Sequence, residues 1–411
     1  MIALAIGIVA VGHLLVTGVG VWGLNRSVGW AYDITNFVFW IGIGHAGTLI
    51  SAILLLLRQQ WRTGVNRAAE MMTLIAIVCA AVFPIIHLGR PWLFYWMLPV
   101  PNGRGPLWIN FNSPLTWDVV AITTYFTVSA IFCYVGLLPD LGLMRDMAQG
   151  RRRRILQWIS LGWRGSAREW RAHASASVAL AAIATPLVIS VHSVVSFDFA
   201  VTVVPGWHAT IFPPYFVVGA IFSGMAMVLA LSIIMRSAMQ LQRYVTSTHI
   251  EAMCRIMLAM SCLLGFAYLV ETATALGAAH ETERGLASSR LSGPLAALFW
   301  SVVGCNVVIP QLLWWKSVRR NLGVLFAIAV IANVGMWLER FLIIVGSLER
   351  DYLPSAWTDY LPTATEIATL VGSFGLFFTL FLLFCRFLPV VSASEAKATL
   401  SHRPERTGAA S

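Results

Sequence analysis

Apolar residues fall along this chain in ten runs of about twenty, each long enough to cross the hydrocarbon core of a bilayer as a helix. The runs cover residues 2–24, 36–57, 70–88, 115–138, 174–197, 214–239, 253–276, 294–313, 322–346 and 364–388. Polar residues interrupt them rarely, so the pattern predicts an all-α integral membrane protein with ten transmembrane helices in one polytopic domain, residues 1–390. Residues 391–411 hold the polar, aperiodic stretch SASEAKATLSHRPERTGAAS and are expected as a disordered tail. The first run lacks a basic leader and a small-residue cleavage site, so it reads as a membrane helix and not as a removable signal.

Composition agrees with that reading. The chain is 58% hydrophobic and 11% charged, far below the charged fraction of soluble domains. Its net charge of +10 would suit a nucleic-acid binder, but the basic residues are distributed as membrane topology requires. If the N-terminus is cytoplasmic, the inside segments are 58–69, 139–173, 236–255, 314–321 and the tail from Arg386. They hold all but seven of the 28 Lys and Arg residues, the exceptions being Arg26, Arg90, Arg104, Arg284, Arg290, Arg340 and Arg350. This satisfies the positive-inside rule with both termini cytoplasmic, as in a bacterial cytoplasmic membrane. Arg151–Arg154 lie in the longest inside loop. They read either as a topology signal attracted to anionic headgroups or as a docking surface for a partner protein.

The six cysteines are scattered singly, with no C-x-x-C, C-x-x-C-H or ferredoxin-like spacing. Neither a c-type haem nor an iron–sulfur cluster is expected in this chain, and no metal site is read from it.

One connecting stretch concentrates chemistry. Residues 83–118, FPIIHLGRPWLFYWMLPVPNGRGPLWINFNSPLTWD, join the third run to the fourth. His87 closes one run and Asp118 opens the next, both near the outer face. Arg90, Arg104, Trp92, Tyr95 and Trp117 lie in or beside the loop between them, which is expected as an interfacial cap. An imidazole and a carboxylate at the same end of adjacent membrane helices suggest proton handling; an aromatic belt with two satisfied polar groups is the plainer alternative.

Other ionisable groups gather in the outer half. His192 and Asp198 close the fifth run, six residues apart and so not on one helical face. Glu271 lies in the seventh run without a neighbour of opposite charge in sequence, whereas Glu339 beside Arg340 in the ninth reads as a structural ion pair. His45 falls near the middle of the second run among Gly42, Gly44 and Gly47, which allow close helix approach. It can be an interhelical hydrogen bond, a proton relay, or a haem ligand with His13 or His192 as its partner.

HLGRPW, SPLTWDVVAITTYFTVS, GVWGLN, IGIGHAGTLISA and HSVVSFDFAVTVVPGWHATIFPPYFVVGAIFSG together resemble the NrfD/polysulfide reductase membrane-subunit family. The resemblance extends from about Gly20 to about Phe384 and is nearest to the quinol-interacting membrane subunit of alternative complex III. It implies two four-helix bundles, helices 2–5 and 6–9, flanked by helices 1 and 10. It also implies a quinol/quinone substrate (menaquinone or ubiquinone) bound near the outer side. His87 and Asp118 would carry the site, with Arg90, Trp92, Tyr95 and Trp117 around the ring. His45, His192, Asp198 and Glu271 become proton-path candidates. The implied partners are an iron–sulfur subunit on the outer face, c-type cytochrome subunits and a sister NrfD-like membrane subunit. Proton release at the outer face and proton translocation both stay open from the sequence.

Two other classes fit parts of the chain. A secondary transporter or channel would be broken by Gly or Pro at midplane, for which Pro186, Gly219 and Gly224 give weak hints. A non-catalytic anchor of a redox complex would keep its quinone chemistry without His87 or Asp118.

Overall fold

In the computed structural model, residues 1–59, 61, 64–98 and 111–393 are described; they form helices and turns, with no strand among them. Among these residues nine helices are long and apolar enough to cross a membrane. They are α2 (Tyr32–Leu56), α3 (Asn66–His87), α4 (Pro114–Met147), α5 (Ala167–Ala200), α6 (Phe212–Ala238), α7 (Ser247–Leu276), α8 (Ala296–Trp314), α9 (Leu322–Leu348) and α10 (Ala364–Phe387). A shorter apolar helix, α1 (Ile2–Thr17), precedes them. The chain is a multi-pass membrane protein. Arg104, with the rest of residues 99–110 of the expected cap, and the tail from 394 lie outside the described residues.

The departures from the expected spans have identifiable causes. The run expected at 2–24 is α-helical only to Thr17, because Gly18 adopts φ 93°, a left-handed value that ends the helix. α2 starts at Tyr32 and not at 36, which brings Asp33 into its first turn. α4 and α5 each run for 34 residues, about 51 Å of helix against a hydrocarbon core of about 30 Å. Hydropathy loses α4 at Asp140, yet the helix continues. That carboxylate is buried in an ion pair with Arg67 of α3 at 3.0 Å. α5 begins early on a capping box, Ser166 with Glu169. The expected inside loop 139–173 is therefore largely helical, with a further helix at Gly150–Ile159. Another unexpected helix, Glu281–Ser292, separates α7 from α8.

α2 is the most enclosed of the nine and packs against α3, α5, α6, α9 and α10. Its glycines make this possible. A Cβ at Gly47 would collide with Ala69 and Thr73 of α3, and a Cβ at Gly224 of α6 would stand 2.6 Å from Ala46. α4 lies outside, against α3 and α5, and α1 packs on α10. Successive membrane helices run in opposite directions. The end of α3 and the starts of α2, α4, α6, α8 and α10 therefore share one side, here the His87 side; Arg67 marks the other.

Candidate functional site

His87 is the last residue of α3, where Gly89, with φ 65°, turns the chain away. Its Nδ1 is hydrogen-bonded to Oδ2 of Asp33 in the first turn of α2. Asp33 is enclosed, with 1% of its side chain exposed, while the His87 side chain is 24% exposed. Trp22 stacks on the imidazole with ring centroids 6.1 Å apart and planes 27° from parallel. Oδ1 of Asp33 and Nε1 of Trp22 are buried and unpaired among the described residues. The carboxylate fixes Nδ1 as the protonated nitrogen of a neutral imidazole, leaving Nε2 with a lone pair to accept a proton.

Asp118 lies on the same side, as expected, and its neighbour there is another carboxylate. Its carboxyl lies beside that of Asp198, near the end of α5, and both are buried. Two buried carboxylates side by side repel each other, and a proton between them relieves that repulsion. The two residues singled out from the sequence thus each have a carboxylate neighbour, His87 in Asp33 and Asp118 in Asp198. Asp33 went unrecognised because it precedes the apolar run that starts at 36.

Aromatic residues surround this end. A 3₁₀ helix, Pro91–Met97, follows the exposed Arg90; Trp92 on it is 62% exposed, and half-buried Tyr95 meets Trp96 edge-on. Trp117 is also exposed and donates from Nε1 to the Phe111 carbonyl at 2.7 Å.

Deeper in the protein a second polar cluster forms. His45 of α2 and His192 of α5 are both buried and stand edge-to-face, ring centroids 4.3 Å apart. His45 Nδ1 is bonded to the Ile41 carbonyl at 2.8 Å, whereas neither nitrogen of His192 has a partner among the described residues. An iron held between two imidazoles would separate the bonded nitrogens alone by about 4 Å. The two rings are too close to clasp a haem. His192 faces Phe216, and the Arg340 guanidinium lies over that ring at 4.2 Å. Arg340 pairs with Glu339 at 3.1 Å. Tyr268 donates its hydroxyl to Glu339, and Asn306 donates to it at 3.3 Å. Gly219 supplies the space, since a Cβ there would meet Arg340 Nη2 at 2.7 Å. The pair read from sequence as structural is therefore also part of a network drawn from α7, α8 and α9, with α6 and the two histidines beside it.

Glu271 is not solitary. Arg290, from the helix Glu281–Ser292, pairs with it at 2.7 Å and also donates to Ser347 at 3.2 Å. The pair borders a cavity of about 560 Å³ with His208, His280 and Glu283. A further hub is Glu366, at the start of α10: it accepts from Tyr360 at 2.6 Å and from the backbone of Gly23 and Thr363. No group of three or more His, Cys, Asp or Glu side chains is arranged to hold a metal among the described residues.

The profile of the family described as polysulphide reductase, NrfD, matches residues 20–350. A putative membrane subunit of the dimethyl sulfoxide reductase of Halobacterium salinarum is 25% identical over 430 aligned positions, spanning 96% of this chain and 93% of the relative. A subunit of the selenate reductase of Mesobacillus selenatarsenatis is 20% identical over 408 positions, spanning 95% and 92%.

Proposed function

The chain belongs to the NrfD polysulphide reductase family, and on that premise we propose that it is the quinol-oxidising membrane subunit of a multi-subunit oxidoreductase. The observation that carries this reading is the His87–Asp33 pair, held at the end of two membrane helices, backed by Trp22 and edged by exposed aromatic residues. Quinol oxidation releases two protons with two electrons. His87 Nε2 takes the proton of one hydroxyl, and Asp33 stabilises the imidazolium that results. The Asp118–Asp198 pair takes the second, and Trp92, Tyr95, Trp117 and Arg90 border the ring. The electrons leave to a partner iron–sulfur subunit on the His87 side. Both relatives are named as subunits of reductases. This favours a reductase assembly over one built, as in alternative complex III, around c-type cytochromes and a sister membrane subunit.

Within this reading the ten helices form two four-helix bundles, α2–α5 and α6–α9, with α1 and α10 alongside. The contacts of α4 with α5, of α6 with α7 and α9, and of α1 with α10 support the grouping. Both termini lie on the cytoplasmic side of the cell membrane, as the placement of the arginines favours. The His45–His192 pair and the Arg340–Glu339 network supply titratable groups at membrane depth, which supports coupling to proton translocation.

The reading is tested by quinol-dependent turnover of the purified complex carrying His87→Ala, with iron content checked. Loss of turnover at full iron content supports it; unchanged turnover overturns it and leaves the chain an anchor.

A further inference from the structure

The helix Gly150–Ile159 begins with four consecutive arginines, Arg151–Arg154, all exposed. None forms an ion pair among the described residues, and no acidic residue stands in the first turn. This is the end of a helix that is already positive. The four charges oppose both one another and the helix dipole, so an anion from the surroundings would stabilise the arrangement.

The helix folds back along α4. Leu156 is buried with Cys133, Leu137 and Leu141, and Tyr134 donates its hydroxyl to the Ile159 carbonyl at 2.6 Å. The arginines therefore lie beside the far end of α4, while Ile159 is level with Tyr134. Twenty residues separate Tyr134 from the start of α4, a rise of about 30 Å, one hydrocarbon thickness. At that boundary Ile155, Trp158 and Leu161 are 62%, 81% and 72% exposed. Apolar side chains exposed at the hydrocarbon boundary with cations above them match the apolar and charged layers of a lipid leaflet. The cluster that seats Leu156 continues through Met71, Leu74 and Leu388 into an apolar groove of about 300 Å³ between α3 and α10.

We propose that this helix and groove bind an anionic phospholipid of the leaflet on the Arg67 side. Arg151–Arg154 hold the headgroup, Ile155, Trp158 and Leu161 sit among the acyl chains, and the groove seats a chain. Guanidinium groups pair with phosphate oxygens in any phospholipid, but only a headgroup of net negative charge offsets the four unpaired cations.

The test uses the full-length protein in its complex, reconstituted in phosphatidylcholine bilayers. A minor fraction of the lipid is brominated on its acyl chains and carries either a phosphatidylglycerol or a phosphatidylcholine headgroup. The Trp158 signal is the difference between the wild type and Trp158→Phe. At equal mole fraction, brominated phosphatidylglycerol should quench it several-fold more than brominated phosphatidylcholine. The preference should fade at high salt and in a variant with all four arginines changed to Gln. Equal quenching by the two lipids in the wild type overturns the proposal. So does the absence of quenching by either, which would assign the surface to a protein partner.

Discussion

Asp33 of α2 and His87 of α3, 54 positions apart in the chain, meet as a hydrogen-bonded pair at one end of the membrane helices. The aspartate is enclosed and the histidine partly open. One edge of the imidazole is thus committed to a carboxylate and the other is free to exchange a proton. A carboxylate behind a histidine fixes its tautomer and orientation and stabilises the ring once it is charged.

Asp33→Asn should therefore slow the reaction without removing the base. An amide in place of the carboxylate no longer stabilises the imidazolium and permits the wrong tautomer. A loss of roughly 10- to 100-fold in kcat is expected, as for other groups that orient a reacting residue. His87→Ala should cost roughly 10²- to 10⁴-fold. Quinol turnover of the two variants at equal iron content checks the ranking. If Asp33→Asn is silent while His87→Ala is not, the pair orients nothing.

The Asp118–Asp198 contact calls for a different pattern. In Asp198→Asn the amide donates to the remaining carboxylate as the shared proton did. The melting temperature should change little while turnover falls by roughly 10²-fold. Asp198→Ala leaves Asp118 buried without its partner and should destabilise by roughly 1–3 kcal/mol. Thermal unfolding and turnover measured on both variants separate the two roles. A stable Asp198→Asn protein with normal turnover would remove this pair from the proton route.

How much of this was legible in the sequence depended on distance along the chain. Apolar runs located the nine long helices, because each must be apolar over its own length to cross a bilayer. They misjudged the ends of α2 and α4, where a polar residue is buried by a neighbour far away in sequence, as Asp140 is by Arg67, and the start of α5, which a capping box of polar residues sets. His87, Asp118, His45 and His192 stood out as costly residues in apolar surroundings. Their partnerships did not, since pairing across helices leaves no local trace. Asp33 looked like a loop residue, and Glu271 looked solitary because Arg290 belongs to a helix without an apolar signature.

The buried ion pair predicts non-additivity. Glu339 and Arg340 are 1% and 2% exposed. Removing either charge strands the other at membrane depth, so Glu339→Gln and Arg340→Met should each destabilise by roughly 3–5 kcal/mol. The double variant should recover most of that loss, because both desolvated charges are gone. Unfolding of the four proteins in one detergent forms the cycle. Additive losses would mean that the two charges do not compensate each other.

Glu349, just past the end of α9, gives a pH prediction with a definite sign. Burial pushes its carboxyl above the ordinary range, only partly offset by the bond it accepts from the Tyr360 backbone at 2.7 Å and by the Arg350 charge. A carboxyl raised in the folded state binds its proton more tightly there than in the unfolded chain. It therefore favours folding most when protonated, below the ordinary glutamate value, and the advantage is lost as pH rises through the raised one. Glu349→Gln keeps an acceptor for Tyr360 N–H and carries no charge to desolvate. Its melting temperature should match the wild type near pH 4 and exceed it near pH 7.5. A gap that closes as pH rises would show that Arg350 and the backbone bond outweigh burial at this position.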